Sequence, residues 1–122
     1  MTDFFRVPEF DHDMKKLSRD FRSLEDDLRT LTVALSARIP AGLPGIVQLA
    51  NLGIDVPDPV FKVRKFRCQS LKGRGSNSGM RVIYAFDPAT DSITFIEIYF
   101  KGNQENEDRE RILRYMKSRG KE

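Results

Sequence analysis

The sequence predicts an α+β domain, and three observations along its 122 residues predict it. An amphipathic helical stripe lies near the N-terminus. Three β-branched and aromatic runs follow in the second half. A stretch ordered from acidic to basic at the C-terminus reads as a closing helix. Helices at the two ends of an antiparallel strand group make an α+β arrangement, and the length fits one domain spanning 1–122.

Taken in order, Phe4, Phe5, Arg6 and Val7 are able to form a fourth, edge strand. From Asp11 to Arg38 the apolar residues Met14, Leu17, Phe21, Leu24, Leu28, Leu31 and Leu35 recur at steps of three and four, which is one face of a helix. Ser23 followed by Asp26 resembles a helix start inside this run, so the segment is either one long helix or two short ones joined near Phe21. The stripe also fits a coiled-coil seam, although packing on the protein's own core is the ordinary use of such a face.

The stretch IPAGLPGIVQLANLGIDVPDP is rich in Pro and Gly and reads as a long connection with a helical turn or two around its short apolar run, Ile46 to Leu52. Val60 to Arg67 is expected as a strand with Phe61 and Val63 on one face and Lys62 and Arg64 on the other, because side chains alternate. LKGRGSNSG is then a hairpin loop by composition. MRVIYAF (80–86) and SITFIEIYF (92–100) are two strands joined by DPATD, where Asp87-Pro88 begins a turn. In the final segment, Glu107/Arg111 and Glu110/Arg114 stand at i,i+4 with acids early and bases late, as a helix dipole favours. Ile112, Leu113 and Met116 are its expected buried side. The expected whole is thus two N-terminal helices, or one long one, packed on a small, mostly antiparallel sheet of three to four strands, with a C-terminal helix.

Composition excludes several function classes. The single cysteine, Cys68, leaves no intramolecular disulfide, and the single histidine, His12, has no Cys or His at a metal-ligand spacing. Neither a metal nor a nucleotide cofactor is suggested. MTDFFRVPEF does not read as an export signal, and no run approaches the roughly 18 apolar residues of a membrane span, so a cytoplasmic protein is expected.

The formal charge is only +3, yet its distribution is uneven. Residues 59–86 carry seven cations, Lys62, Arg64, Lys65, Arg67, Lys72, Arg74 and Arg81, and no carboxylate. A stretch left without internal neutralisation points to a phosphate-rich partner. The glycines of GRGSNSG lack the GKS or GKT ending and the strand-to-helix setting of a P-loop, so this loop reads as a mobile basic hairpin that tracks a nucleic-acid backbone.

KVRKFR, a Gly/Ser-rich loop, SGMRVIYAF, a strand ending in IEIYFKG and a closing NEDRERI helix, in that order and spacing, resemble the RelE/ParE superfamily of type II toxin–antitoxin toxins. The resemblance spans nearly the whole chain and is sharpest from Phe61 to Lys101. It implies a small toxin covered by a cognate antitoxin protein. In the RelE branch it implies an endoribonuclease that cleaves mRNA in the ribosome without metal, and in the ParE branch an inhibitor of DNA gyrase with no ribonuclease activity. Fold alone does not choose between branches, and an inactive nucleic-acid-binding relic with neither activity is a further alternative.

Cleavage of the RelE kind uses the substrate's 2′-hydroxyl against the adjacent phosphate. It needs a base, cations for the phosphorane, and an acid for the leaving 5′-oxygen. By the resemblance, Lys62 and Arg64 match the pair of basic strand residues, Arg81 the phosphate-stabilising arginine, and Lys101 a basic residue at the end of the next strand. Lys65, Arg67, Lys72 and Arg74 extend the nucleic-acid surface. Each has a plainer reading, as the solvated face of an edge strand or a strand-end cation.

The departure lies in the acid and base. RelE-like toxins often carry Tyr or His at the start of the final helix, where this chain has Asn106, Glu107 and Asp108. Lys62, crowded by cations, is a candidate base through a lowered pKa. Glu107 is another, although Arg111 at i,i+4 offers it a structural partner, and Tyr99 is able to supply a phenol. His12 reads as a surface or capping residue and Cys68 as a small buried side chain.

Overall fold

The structure, a computed structural model, describes residues 2–38, 45–50, 58–71 and 78–120. The elements run β1 (Asp3–Arg6), α1 (Pro8–Leu17), α2 (Leu24–Arg38), β2 (Ile46–Gln48), β3 (Val60–Val63), β4 (Met80–Asp87), β5 (Ser92–Phe100) and α3 (Arg109–Gly120). The strands form one sheet in the order β1-β5-β4-β3-β2, with β1 parallel to β5 and the remaining pairs antiparallel. This is the α+β class expected, with five strands in place of three or four. The fifth is β2, for which the sequence suggested a helical turn. Ile46 and Val47 are β-branched, and pairing with β3 satisfies a backbone that three residues of helix would leave mostly unpaired.

The N-terminal stripe is two helices. α1 begins earlier than its periodicity suggested, at Pro8, whose fixed φ and missing N–H suit the first helical position. Phe10, the residue this adds, is fully buried. Phe21 N–H donates to Leu17 O (2.9 Å) as α1 ends, and the chain turns before α2. The apolar period survives the break because the Phe21 ring packs on Phe100, with centroids 5.1 Å apart. Ser23 and the buried Asp27 then tie the start of α2 to the turn after β3: Ser23 Oγ donates to Asp27 (2.6 Å), and Asp27 accepts the Gln69 N–H (3.1 Å).

β4 and β5 are joined through Asp87, which accepts from Ala89 N–H and Thr90 Oγ1, and through Asp91 at φ 49°, a left-handed position that Asp tolerates. Their ladder contains a bulge: Ile83 pairs with Glu97 and Tyr84 with Phe95, so Ile96 is extra on β5.

Both faces of this sheet are covered. Phe10 and Met14 of α1 and Leu24, Leu28 and Leu35 of α2 pack on Val63, Val82, Tyr84, Phe95 and Ile98. The opposite face carries a second apolar cluster, in which Ile112 and Met116 of α3 meet Val60, Ile83, Ala85 and Ile96. Leu113 is half-buried beside it. The face of β3 that holds Lys62 is therefore the floor under α3 and not a bare solvated face.

Candidate anion-binding face

Strand register assembles the site. Lys62 stands opposite Ile83, and Ile83 opposite Glu97; one step along, Arg81 stands opposite Tyr99. Continuing the β3–β4 register past Val63↔Val82 sets Arg64 opposite Arg81. Lys101, whose N–H donates to Gly79 O (2.9 Å), lies diagonal to Arg81 on the same face. Gly79 has φ +87°, and a Cβ there would meet the Phe100 ring at 3.3 Å, so only glycine holds this corner without strain. Lys62, Arg64, Arg81 and Lys101 are thus gathered at one end of the central strands, on the α3 side.

Their environments differ. Arg64 and Lys101 are exposed, and Arg81 is half-buried. None of the three has a carboxylate partner among the described residues; the Arg81 guanidinium donates only to Met80 O (3.3 Å). Lys62 is half-buried and paired: its Nζ lies 2.8 Å from Glu107 Oε1, with side chains only 16% and 10% exposed. Lys65 and Arg67 are exposed in the irregular segment after β3, which ends at Val63 and not at Arg67. Lys72 and Arg74 lie outside the described residues.

Glu107 is not the helical partner of Arg111, nor Glu110 of Arg114. Arg111 binds Asp13 and the Ile96 carbonyl, and Arg114 binds Glu9. Glu107 precedes α3, so helical spacing does not apply to it, and it turns to Lys62 instead. Its placement depends on Glu97, which is 2% exposed. One oxygen of Glu97 accepts the Asp108 N–H (2.8 Å) and the other the Gln104 amide (2.8 Å), fixing the loop that carries Glu107; Asp108 in turn accepts the Arg111 N–H (3.2 Å) and caps α3.

The protonation picture corrects the idea of Lys62 as a base. Burial pulls its pKa down, but the hydrogen bond it donates to Glu107 and the nearby Tyr99 outweigh burial, and the ammonium is held above its ordinary value. Glu107 moves the opposite way: burial raises it, but the Lys62 contact, with a backbone hydrogen bond, outweighs burial and holds its carboxyl below the ordinary value. Burial pushes the Tyr99 phenol up, against the pull of Lys62. Tyr99 lies beneath this pair, with the Lys62 ammonium 6.0 Å from its ring centroid, and its buried hydroxyl makes no well-formed hydrogen bond among the described residues. Cys68 is the small buried side chain expected, and burial raises its thiol pKa. His12 is exposed on α1, away from this face.

Among the described residues the arrangement offers three cations without carboxylate partners for oxyanions, one protonated lysine, one carboxylate and one buried phenol. Among the described residues no group of three or more His, Cys, Asp or Glu side chains is placed to hold a metal, and no helix is long and apolar enough to cross a membrane. Sequence reasoning singled out Glu107 but missed its partner, and it missed Glu97 as the support. A carboxylate within the apolar run IEIYF was the available signal, since a buried carboxylate requires donors from elsewhere. No protein-family model matches the chain, and no curated protein matches it.

Proposed function

We propose that this chain is a RelE-like toxin of a type II toxin–antitoxin system, a ribosome-dependent endoribonuclease that cleaves mRNA without metal. The observation that carries the reading is the gathering of Arg64, Arg81 and Lys101, all without carboxylate partners among the described residues, beside the Lys62–Glu107 pair on one face. The three cations receive the scissile phosphate and stabilise the phosphorane as charge builds on its oxygens. Glu107 takes the proton of the 2′-hydroxyl as its oxygen bonds to phosphorus. Lys62 gives a proton to the 5′-oxygen as that bond breaks, leaving a 2′,3′-cyclic phosphate and a free 5′-hydroxyl. The exposed cations Lys65 and Arg67 hold flanking backbone phosphates. The partners are mRNA, the cytoplasmic ribosome, and an antitoxin with an acidic segment that neutralises the face.

A second reading is a ParE-like toxin that inhibits gyrase without catalysis. It is favoured by the direction of the pKa shifts, since Lys62, Glu107 and Tyr99 all move away from neutrality, where an acid–base pair works best.

The test is induction of the chain in a bacterial host beside its Arg81→Ala/Lys62→Ala variant. Growth arrest by the parent, relief in the variant and new mRNA 5′ ends inside codons support the ribonuclease. Arrest that survives both changes, with intact mRNA and blocked supercoiling, selects the gyrase reading. No arrest rejects both.

A further inference from the structure

We infer that the Lys62 ammonium and the Tyr99 hydroxyl form an oxyanion seat that the Glu107 carboxylate fills in the free protein, so that a ligand phosphate enters by displacing Glu107. The inference rests on the reading of this face as a phosphate site and adds how that site is closed.

Two independent observations meet here. The first is the pair itself. Glu107 reaches Lys62 from the loop before α3, across 45 residues, and its carboxylate sits at 2.8 Å from a cation whose strand neighbours on this face, Arg64 and Arg81, have no carboxylate among the described residues. A carboxylate and a phosphate oxygen present the same charge and the same acceptor lone pairs to an ammonium. The second is the Tyr99 hydroxyl, 4% exposed as a residue, close enough to the Lys62 ammonium to feel its charge, yet without a well-formed hydrogen bond among the described residues. A buried donor without an acceptor is unfavourable, and most proteins avoid it. A phosphate has further oxygens, so a group seated on Lys62 in place of Glu107 is able to accept from Tyr99 as well. The closed arrangement leaves one donor unused, and the open, liganded one uses it.

The seat also fits its surroundings. Arg81 stands directly across from Tyr99 in the β4–β5 ladder, so an anion at the seat is flanked by a second, uncommitted cation. Glu107 lies outside α3, in a loop anchored by Gln104 and Asp108 on either side, so turning its side chain away from Lys62 breaks neither anchor.

The test measures binding of the full chain to a fluorescein-labelled single-stranded DNA oligonucleotide by anisotropy at fixed salt. DNA lacks the 2′-hydroxyl, so binding is read without cleavage. Glu107→Gln is expected to bind about tenfold more tightly, the scale of one charge-assisted contact no longer competing. Glu110→Gln, an equal charge change on the exposed first turn of α3, is expected to change affinity far less. Tyr99→Phe is expected to bind about threefold more weakly while melting at the same temperature or higher, because it removes an unsatisfied hydroxyl. If Glu107→Gln fails to tighten binding, or Glu110→Gln tightens it equally, the seat is wrong although the phosphate reading stands. If Tyr99→Phe binds like the parent, the hydroxyl is no part of it, which also overturns the seat. If the parent binds no better than Arg81→Ala, the phosphate reading itself fails and takes the seat with it.

Discussion

Arg111, in the first turn of α3, grips Asp13 in the middle of α1, across 98 residues of sequence. Arg111 Nη1 also donates to the carbonyl of the bulge residue Ile96 (3.0 Å), and Asp13 Oδ2 accepts the Ile98 N–H (3.2 Å). One ion pair therefore joins the helical layers on opposite sides of the sheet through the strand that separates them. With side chains only 14% and 16% exposed, it is shielded from solvent. Asp13→Ala leaves Arg111 partly buried and the Ile98 N–H unpaired, and is expected to lower unfolding free energy by about 2–4 kcal/mol. Urea denaturation of the two proteins measures it; a loss below about 0.5 kcal/mol contradicts the tie.

Phe95 is the aromatic hub of the face under α1 and α2. It stacks on Phe10 (5.3 Å) and Phe4 (6.0 Å) and meets Tyr84 edge-on (6.3 Å). Phe95→Ala is expected to cost about 3–5 kcal/mol, a large share of the roughly 5–15 kcal/mol that holds a domain folded. The same denaturation experiment reads it, and Phe95→Leu is expected to recover much of the loss.

The Lys62–Glu107 pair makes stability depend on pH in two opposite directions. Glu107 is lowered in the fold, so its contribution is present above the unfolded carboxylate pKa and is lost as pH falls through the folded value. Lys62 is raised, so its contribution is present below its unfolded pKa and is lost as pH rises through the folded value. Melting temperature measured across pH is expected to fall less steeply at both limbs for Glu107→Gln than for the parent. Equal curves for the two proteins would remove the pair from the account. Buried Glu97 acts oppositely to Glu107: raised chiefly by desolvation, it adds stability as pH falls through its folded value, so Glu97→Gln is expected to steepen the acid limb.

Arg81 has no carboxylate partner among the described residues and donates only to Met80 O. Arg81→Ala is expected to leave stability within about 0.5–1 kcal/mol of the parent. Under the phosphate reading it weakens oligonucleotide binding and reduces the slope of log affinity against log salt by about 0.7, the value for one single-strand phosphate contact. Titrations at several salt concentrations give that slope, and an unchanged slope would place Arg81 outside the contact.

Much of the fold is legible along the chain, and less of the site. The steps of three and four from Met14 to Leu35 and the apolar runs 80–86 and 92–100 report local backbone period directly, because burial of one face repeats with the period of the element. The same logic put Lys62 and Arg64 on one strand face, whereas Arg81 and Lys101 came in by the resemblance and reach that face only through the strand register. It did not separate α1 from α2, because Phe21 finds an apolar partner in Phe100 and keeps the stripe unbroken where the helix is not.

What the sequence by itself determined is the α+β class, the alternation that sets Lys62 and Arg64 on one strand face, and the segregation of charge that leaves residues 59–86 free of carboxylates. Only the tertiary structure decided that α3 covers the second face of the sheet, that Lys62, among the gathered cations, is the one paired with Glu107, and that Glu97 anchors the loop that carries Glu107. The physical reason is range. Periodicity is written by neighbours three or four residues away, whereas an ion pair needs two atoms about 3 Å apart after distant segments have crossed. The pKa of each group then follows from that meeting and not from its place in the chain.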